Sequence, residues 1–296
     1  MSEGRKDAFY KFFLYLCTQM LFEFMECMNI GGRLKSTSSV LLMAIVNVTD
    51  DSFYAGSRLR TREEIEERMR SAIAEGADIL DIGGCSTRPG SAPVDAEMEW
   101  SRVRVALETA REKFDGTALS LDTFRAEIAR RAIDEYGAMI INDVSGLQDE
   151  RMLNVVNRGG VPYVLTHNRS IESGRDIMEQ LTDFFVRKTD MLQYAGVSDI
   201  IIDPGFGFGK SVEENWEILG RLRTLEILGK PILAGMSRKR MIRELLQRTE
   251  EEALNGTTAA NMLALTEGAK ILRVHDVREA REVLTVYETA KKKKQL

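Results

Sequence analysis

From residue 40 onward, short apolar runs alternate with longer segments in which apolar residues return every three to four positions. The runs cover residues 40–46, 78–82, 118–121, 138–141, 161–165, 199–202, 231–234 and 270–274. They are apolar at consecutive positions and rich in β-branched residues, as expected of strands buried on both faces. Helices are predicted between them over 61–75, 96–114, 125–136, 176–195, 213–228 and 255–267, with 277–291 closing the chain. The first of these places Ile65, Met69, Ala72 and Ile73 on one face. Strands of this kind alternating with helices predict an α/β fold with a parallel sheet covered by helices. Eight such units in about 250 residues predict an eight-stranded (β/α)8 TIM barrel, with an open doubly wound sheet as the alternative.

The ends of the strands change the picture from architecture to chemistry. They deliver Asn47, Asp81-Ile82-Gly83-Gly84, Asp122, Asn142, His167, Asp203, Ser237-Arg238-Lys239, and Arg273 with His275. In a barrel the C-terminal strand ends converge on one face, where active sites sit. One polar residue after a strand is ordinary turn chemistry. A polar group after nearly every strand suits a ligand with a donor-rich heterocycle and an anionic part. Asp122 and Asp203 read singly as helix caps or turn formers. As a pair facing one pocket they accept N–H donors from an aminopyrimidinone, with Asn142 donating and accepting beside them. Lys239 is either a ring-directed donor or an exposed member of the Arg238-Lys239-Arg240 cluster.

The segment 202–211, Ile-Asp-Pro-Gly-Phe-Gly-Phe-Gly-Lys-Ser, fails both nucleotide fingerprints on spacing. It reads as a turn into the next helix, or as a Gly-rich loop that brings backbone close to a flat ligand with Phe208 beside it. Ser86-Thr87-Arg88-Pro89-Gly90 is a candidate anion loop, because Arg grips phosphate oxygens in a fork. Arg273 and His275 share one side of their strand and together suit a diphosphate. Cys85 has no basic neighbour in sequence beyond Arg88 and reads as a small packing residue.

Composition excludes some classes. The chain has 296 residues, 41 Lys+Arg against 46 Asp+Glu, and a net charge of −5. A mildly acidic chain lacks the basic face of a nucleic-acid binder. The basic run Lys291–Lys294 reads as a solvated helix end. Three cysteines and two histidines argue against a disulfide framework and a His/Cys zinc site. Residues 1–27 differ in character, holding seven of the 21 aromatic residues and two of the three cysteines. Their apolar run is too short to span a bilayer and lacks the flanks of a signal peptide, so no membrane association is expected. Residues 1–27 are read as an extension outside the barrel, either a short amphipathic cap or foreign to a chain that starts at Met28. Residues 28–296 are read as one barrel domain.

Seven segments together resemble dihydropteroate synthase. They are Asn47-Val-Thr-Asp-Asp-Ser-Phe53, Asp81-Ile-Gly-Gly-Cys-Ser-Thr-Arg-Pro-Gly90, Asp122-Thr123, Ile141-Asn-Asp-Val-Ser-Gly146, Ile202-Asp-Pro-Gly-Phe-Gly-Phe-Gly-Lys210, Ser237-Arg-Lys239 and Arg273-Val-His-Asp-Val277. They occur in the family's order and spacing from about residue 28 to the end. The resemblance implies a cytoplasmic, dimeric barrel enzyme of folate biosynthesis. Such an enzyme joins 6-hydroxymethyl-7,8-dihydropterin diphosphate to 4-aminobenzoate and releases diphosphate. It implies that Asp122, Asn142, Asp203 and Lys239 hold the pterin, with Phe208 against it. Thr87, Arg88, Arg273 and His275 would hold the diphosphate, and Asn47 would bind Mg²⁺. Phe53, Pro89, Lys239 and Arg240 would border the aminobenzoate. Lys239, Arg273, His275 and Asp122 would carry the catalytic work. The chemistry implied is electrostatic: cations stabilise the departing diphosphate while the ring delocalises the charge left behind.

The sequence departs from the family's pattern at Asp50, Ala55, Cys85 and Thr166-His167-Asn168. It departs also at Arg240, where the family carries a Ser toward the aminobenzoate carboxylate. Arg240 either clasps that carboxylate in a fork, obstructs the pocket or points to solvent. Two other readings stand beside the synthase: a pterin-dependent methyltransferase-like barrel and a non-catalytic pterin-binding paralogue.

Overall fold

In the computed structural model, the described residues are 27–30, 33–36, 39–48, 61–85 and 94–294. Ten strands are described among them. β1 (Cys27–Ile30) and β2 (Arg33–Ser36) form an antiparallel hairpin. The other eight are β3 (Leu41–Asn47), β4 (Ile79–Gly83), β5 (Ala118–Asp122), β6 (Ile140–Asp143), β7 (Tyr163–Thr166), β8 (Ile200–Asp203), β9 (Leu233–Ala234) and β10 (Ile271–Val274). They pair in parallel in the order β8-β7-β6-β5-β4-β3-β10-β9. The two outer members also meet: Ile202 bridges Ile232, and the Ile202 amide donates to the Pro231 carbonyl at 3.0 Å. The ring therefore closes, and the open-sheet alternative falls away.

The strands are apolar on both faces because each face buries something different. Outward residues such as Leu42, Val46, Leu80, Leu121, Leu165, Ile202 and Leu272 pack in the large cluster beneath the helices. Inward residues Leu41, Met43, Ile79, Ile140, Val164, Ile201, Leu233 and Ile271 fill the lower barrel. Met28 and Ile30 of the hairpin join that inner cluster, so β1 plugs the barrel floor. The plug is pinned by the Asn29 amide donating to the Asp199 carboxylate at 3.0 Å. Truncating a fully buried floor residue such as Ile201 to Ala leaves a cavity that costs about 2–5 kcal/mol.

The helices begin where the sequence supplies caps. Thr61 and Ser211 form reciprocal capping boxes with Glu64 and Glu214, while Asp95 and Asp176 accept backbone N–H bonds at the starts of the helices Ala96–Lys113 and Ile177–Tyr194. Helix Arg151–Gly159 and helix Arg240–Leu246 lie in segments for which the apolar pattern predicts no element. The predicted helix 213–228 is interrupted at Arg221, where helix Val212–Gly220 gives way to a 3₁₀ helix over Leu222–Leu228. Among the described residues, no helix is long and apolar enough to cross a membrane. Residues 1–26 lie outside the described residues.

Candidate active site

Side chains alternate along a strand, so the residue two beyond each floor residue also points into the barrel. On six strands those positions are polar, Asp81, Ser120, Asn142, Thr166, Asp203 and Arg273, two beyond Ile79, Ala118, Ile140, Val164, Ile201 and Ile271; on β3 and β9 they are Ile45 and Gly235. The barrel interior therefore changes from apolar floor to polar upper layer within one pleat. Asn47 and Asp122 follow at the rim, on either side of Gly83.

At the centre stands Arg273. Its Nε donates to Asp81 Oδ2 and its Nη2 to Asp122 Oδ2, both at 2.6 Å. Asp81 Oδ2 also accepts from Asn142 Nδ2 at 3.1 Å. Asp81 and Asn142 are buried, and Asp122 and Arg273 keep only a narrow exposure toward the mouth. Burial pushes the Asp122 carboxyl up to about 7, with Arg273 pulling against it and Asp81 adding to it. Burial by itself would weaken the guanidinium's hold on its proton. The Asp81 and Asp122 carboxylates more than offset that and raise its pKa. Two carboxyl groups on one guanidinium leave acceptor oxygens in excess, which suits a ligand that brings N–H donors.

The Gly-rich segment forms the next part of the wall. Asp203 Oδ1 accepts the Gly205 amide at 2.7 Å in a tight turn. Burial raises the Asp203 pKa, against the opposing pull of Lys239. Gly205 has φ +71°, and a Cβ there would stand 2.2 Å from the His167 carbonyl oxygen. Only glycine fits this position, so its freedom serves protein packing. Lys210 is buried and donates to the carbonyls of His167, Gly205 and Phe208 at 2.8, 3.1 and 3.0 Å. Burial lowers its pKa to about 7. Lys239 Nζ donates to the Phe206 carbonyl at 2.5 Å and lies 4.9 Å from the centre of the half-buried Phe208 ring. Lys239 and Phe208 thus form one edge of the mouth.

Beside it, after the neighbouring strand β10, His275 meets Ser237, with Nδ1 and Oγ 3.1 Å apart. Arg238, at φ +57°, turns away from the mouth and grips Asp276 with two bonds of 2.9 and 2.7 Å. It also donates to the Glu250 and Glu251 carbonyls at 2.7 and 3.1 Å. Arg240 sits on the rim with its side chain 58% exposed, 3.4 Å from the Lys210 carbonyl and 3.8 Å from Glu244. Phe53, Thr87, Arg88 and Pro89 lie outside the described residues. Next to that segment, buried Glu99 accepts from Thr123 Oγ1 at 2.6 Å and pairs with Arg125. Arg125 in turn holds the Val94 carbonyl at 2.5 Å. Burial raises the Cys85 pKa, with Glu99 adding and Arg125 opposing, so the thiol is held away from reactivity.

Sequence reasoning placed Asp81 and Arg238 at strand ends facing the mouth but gave Asp81 no role, and it missed Lys210 and the Arg238–Asp276 link. The signal for Asp81 was available in parity: it stands in β4 at the inward position that Asn142 and Arg273 occupy in theirs. Arg125 as a basic neighbour of Cys85 had no signal, since 40 residues separate them.

The family model for pterin binding enzymes matches residues 43–275, most of the barrel. A dihydropteroate synthase of Streptococcus pyogenes is 39% identical over 260 residues, covering 86% of this chain and 97% of the relative. The chain belongs to the dihydropteroate synthase family. Solved members share the fold. Dihydropteroate synthase from Xanthomonas albilineans with 4-aminobenzoic acid is 39% identical with a TM-score of 0.83, covering 90% of this chain and 98% of that one. The Yersinia pestis synthase in a sulfonamide complex is 32% identical with a TM-score of 0.85, covering 90% and 99%. Dihydropteroate synthases are transferases of folate biosynthesis, and the (β/α)8 barrel is their fold.

Proposed function

We propose that the barrel mouth joins 6-hydroxymethyl-7,8-dihydropterin diphosphate to 4-aminobenzoate, giving 7,8-dihydropteroate and diphosphate. The observation that carries this reading is the buried Asp81–Arg273–Asp122 cluster bonded to Asn142. It sets carboxylate acceptors for ring N–H groups against a cation for phosphate oxygens, in a chain of the dihydropteroate synthase family. Asp122, Asn142 and Asp203 serve the ring edge, and Lys239 donates to a ring acceptor with Phe208 along its face. Arg273 and His275, with Thr87 and Arg88, hold the diphosphate. Phe53, Pro89, Lys239 and Arg240 border the aminobenzoate.

The reaction breaks the bond between the pterin methylene carbon and the diphosphate oxygen, whose electron pair leaves with the diphosphate. Arg273 and His275 stabilise that charge as it develops, the kind of electrostatic effect that dominates much enzyme catalysis. The ring delocalises the cation on the methylene. The aminobenzoate nitrogen then attacks it and sheds a proton, so no protein nucleophile is required.

Among the described residues, no group of three or more His, Cys, Asp or Glu could hold a metal ion by itself. Asn47 offers a single amide oxygen beside Asp122 at the rim. One protein oxygen completed by phosphate oxygens and water is how Mg²⁺ is held in phosphate chemistry. Asn47 would therefore hold Mg²⁺ together with the substrate, and the ion would neutralise charge on the diphosphate. A cytoplasmic homodimer is the assembly and location we infer.

The test is chromatographic detection of dihydropteroate from the two substrates, with Mg²⁺ and with a chelator. Product formed with Mg²⁺ and lost on chelation supports the reading. Ring turnover without incorporation of the aminobenzoate overturns it in favour of a different pterin transfer.

A further inference from the structure

We infer that Asp81 is a positioning residue, fixing the sense of the Asn142 amide and the seat of Arg273 through a single carboxylate oxygen. The inference rests on the reading of the mouth as a pterin diphosphate site. Asp81 is completely buried, and its Oδ2 accepts from Asn142 Nδ2 at 3.1 Å and from Arg273 Nε at 2.6 Å. An ionised carboxylate only accepts, so the amide must turn its NH₂ toward Asp81. Asn142 Oδ1 then faces away as an acceptor, and it is a buried atom with no hydrogen-bond partner among the described residues. A buried acceptor without a partner is costly, which favours a ligand that brings an N–H to it. Were residue 81 unable to enforce this sense, the amide would flip and offer a donor where the ring also offers one.

The same oxygen seats Arg273. The guanidinium spends Nε on Asp81 and Nη2 on Asp122. A ring N–H that takes Asp122 displaces Nη2 but leaves the Nε anchor intact. Arg273 then pivots on Asp81, and its freed N–H donors turn to the diphosphate. Ring recognition and diphosphate recognition are thereby joined through one group that touches neither.

An exchange of the two side chains tests this. Affinities for 6-hydroxymethylpterin and for inorganic diphosphate are measured by calorimetry in the wild type, Asp81→Asn, Asn142→Asp and the double variant. Asp81→Asn weakens both ligands by about tenfold or more, the worth of a hydrogen bond to a charged group. Asn142→Asp sets two carboxylates against each other and weakens the ring ligand similarly. In the double variant the amide at 81 donates to the carboxylate at 142, whose other oxygen still accepts. Ring affinity then returns to within about threefold of wild type, a coupling that independent sites do not show. Additive losses in the double variant, or unchanged ring affinity in Asp81→Asn, overturn the inference alone. Failure of the wild type to bind the ring overturns the reading of the mouth and the inference with it.

A second measurement does not depend on the variants folding. In the ¹⁵N-labelled wild type, the Asn142 side-chain amide protons keep their chemical shift and exchange protection when the ring ligand binds. A switch of that N–H hydrogen bond from Asp81 to the ligand, seen as a large shift, overturns the assignment.

Discussion

Arg238 offers a quantitative test of how the mouth is held. Its side chain is 5% exposed and makes two bonds to Asp276 and two to the Glu250 and Glu251 carbonyls. The backbone at Arg238 is left-handed, φ +57°, which costs a non-glycine residue about 1 kcal/mol or more. Its amide is fixed by Thr257 Oγ1 at 3.1 Å. The conformation places Ser237 against His275 on one neighbouring strand end and Lys239 beside Phe208 on the other. Arg238→Met keeps an unbranched apolar stem but strands the Asp276 carboxylate and two carbonyls. Breaking a buried pair by removing one partner costs about 3–5 kcal/mol. For a domain of this size, where 1 kcal/mol moves Tm by about 2–4 °C, the melting temperature falls by roughly 10 °C. Differential scanning calorimetry and urea titration measure both quantities. Adding Asp276→Leu removes the stranded charge and recovers part of the loss. A loss below about 1 kcal/mol in Arg238→Met, or no recovery in the double variant, would refute the reasoning.

Four further outcomes are expected. Arg273→Ala lowers kcat/KM by on the order of 100-fold, as loss of a group bound to developing charge does, and unchanged steady-state kinetics would contradict its role. Lys210→Met orphans three carbonyls and costs about 2–4 kcal/mol of stability in urea unfolding; a loss under about 0.5 kcal/mol would sink that accounting. Arg240→Ser changes the 4-aminobenzoate KM by no more than about fivefold, because an exposed, loosely paired charge contributes about 0–1 kcal/mol. A larger change would show a tight clasp. His167 is lowered to about 3 by burial and by Lys210, so it folds neutral. A depressed folded pKa contributes stability that is whole above about 6.5 and is lost as pH falls toward about 3. Urea midpoints measured from pH 7 to pH 4 should therefore fall less steeply in His167→Gln than in the wild type; parallel slopes would remove His167 from the explanation.

Much of the fold was legible because barrel strands are buried on both faces and so read as unbroken apolar runs. The eight runs at 40–46 through 270–274 match β3 to β10 to within two residues at each end. The hairpin at Cys27–Ser36 was not legible, since Met28 and Ile30 find their burial only against the barrel floor, far away in sequence. Helix Arg240–Leu246 escaped because it is short and half exposed, with Leu245 and Leu246 on its open side. At the site, polar residues after strands were visible one by one. Their mutual bonds were not, because Arg273 lies 192 residues from Asp81 and 151 from Asp122 along the chain. For the segment 202–211, read as a turn or as a loop approaching a flat ligand, the contact that makes Gly205 necessary is with the distant His167 carbonyl, which the sequence could not show.

The most direct test of the central claim is the initial rate of diphosphate release from the pterin substrate, with and without 4-aminobenzoate, with dihydropteroate quantified in the same samples. One diphosphate per dihydropteroate is expected, with release rising and saturating as 4-aminobenzoate is added. Release at the same rate without 4-aminobenzoate, or with no dihydropteroate formed, would contradict the assignment of the mouth as a synthase site.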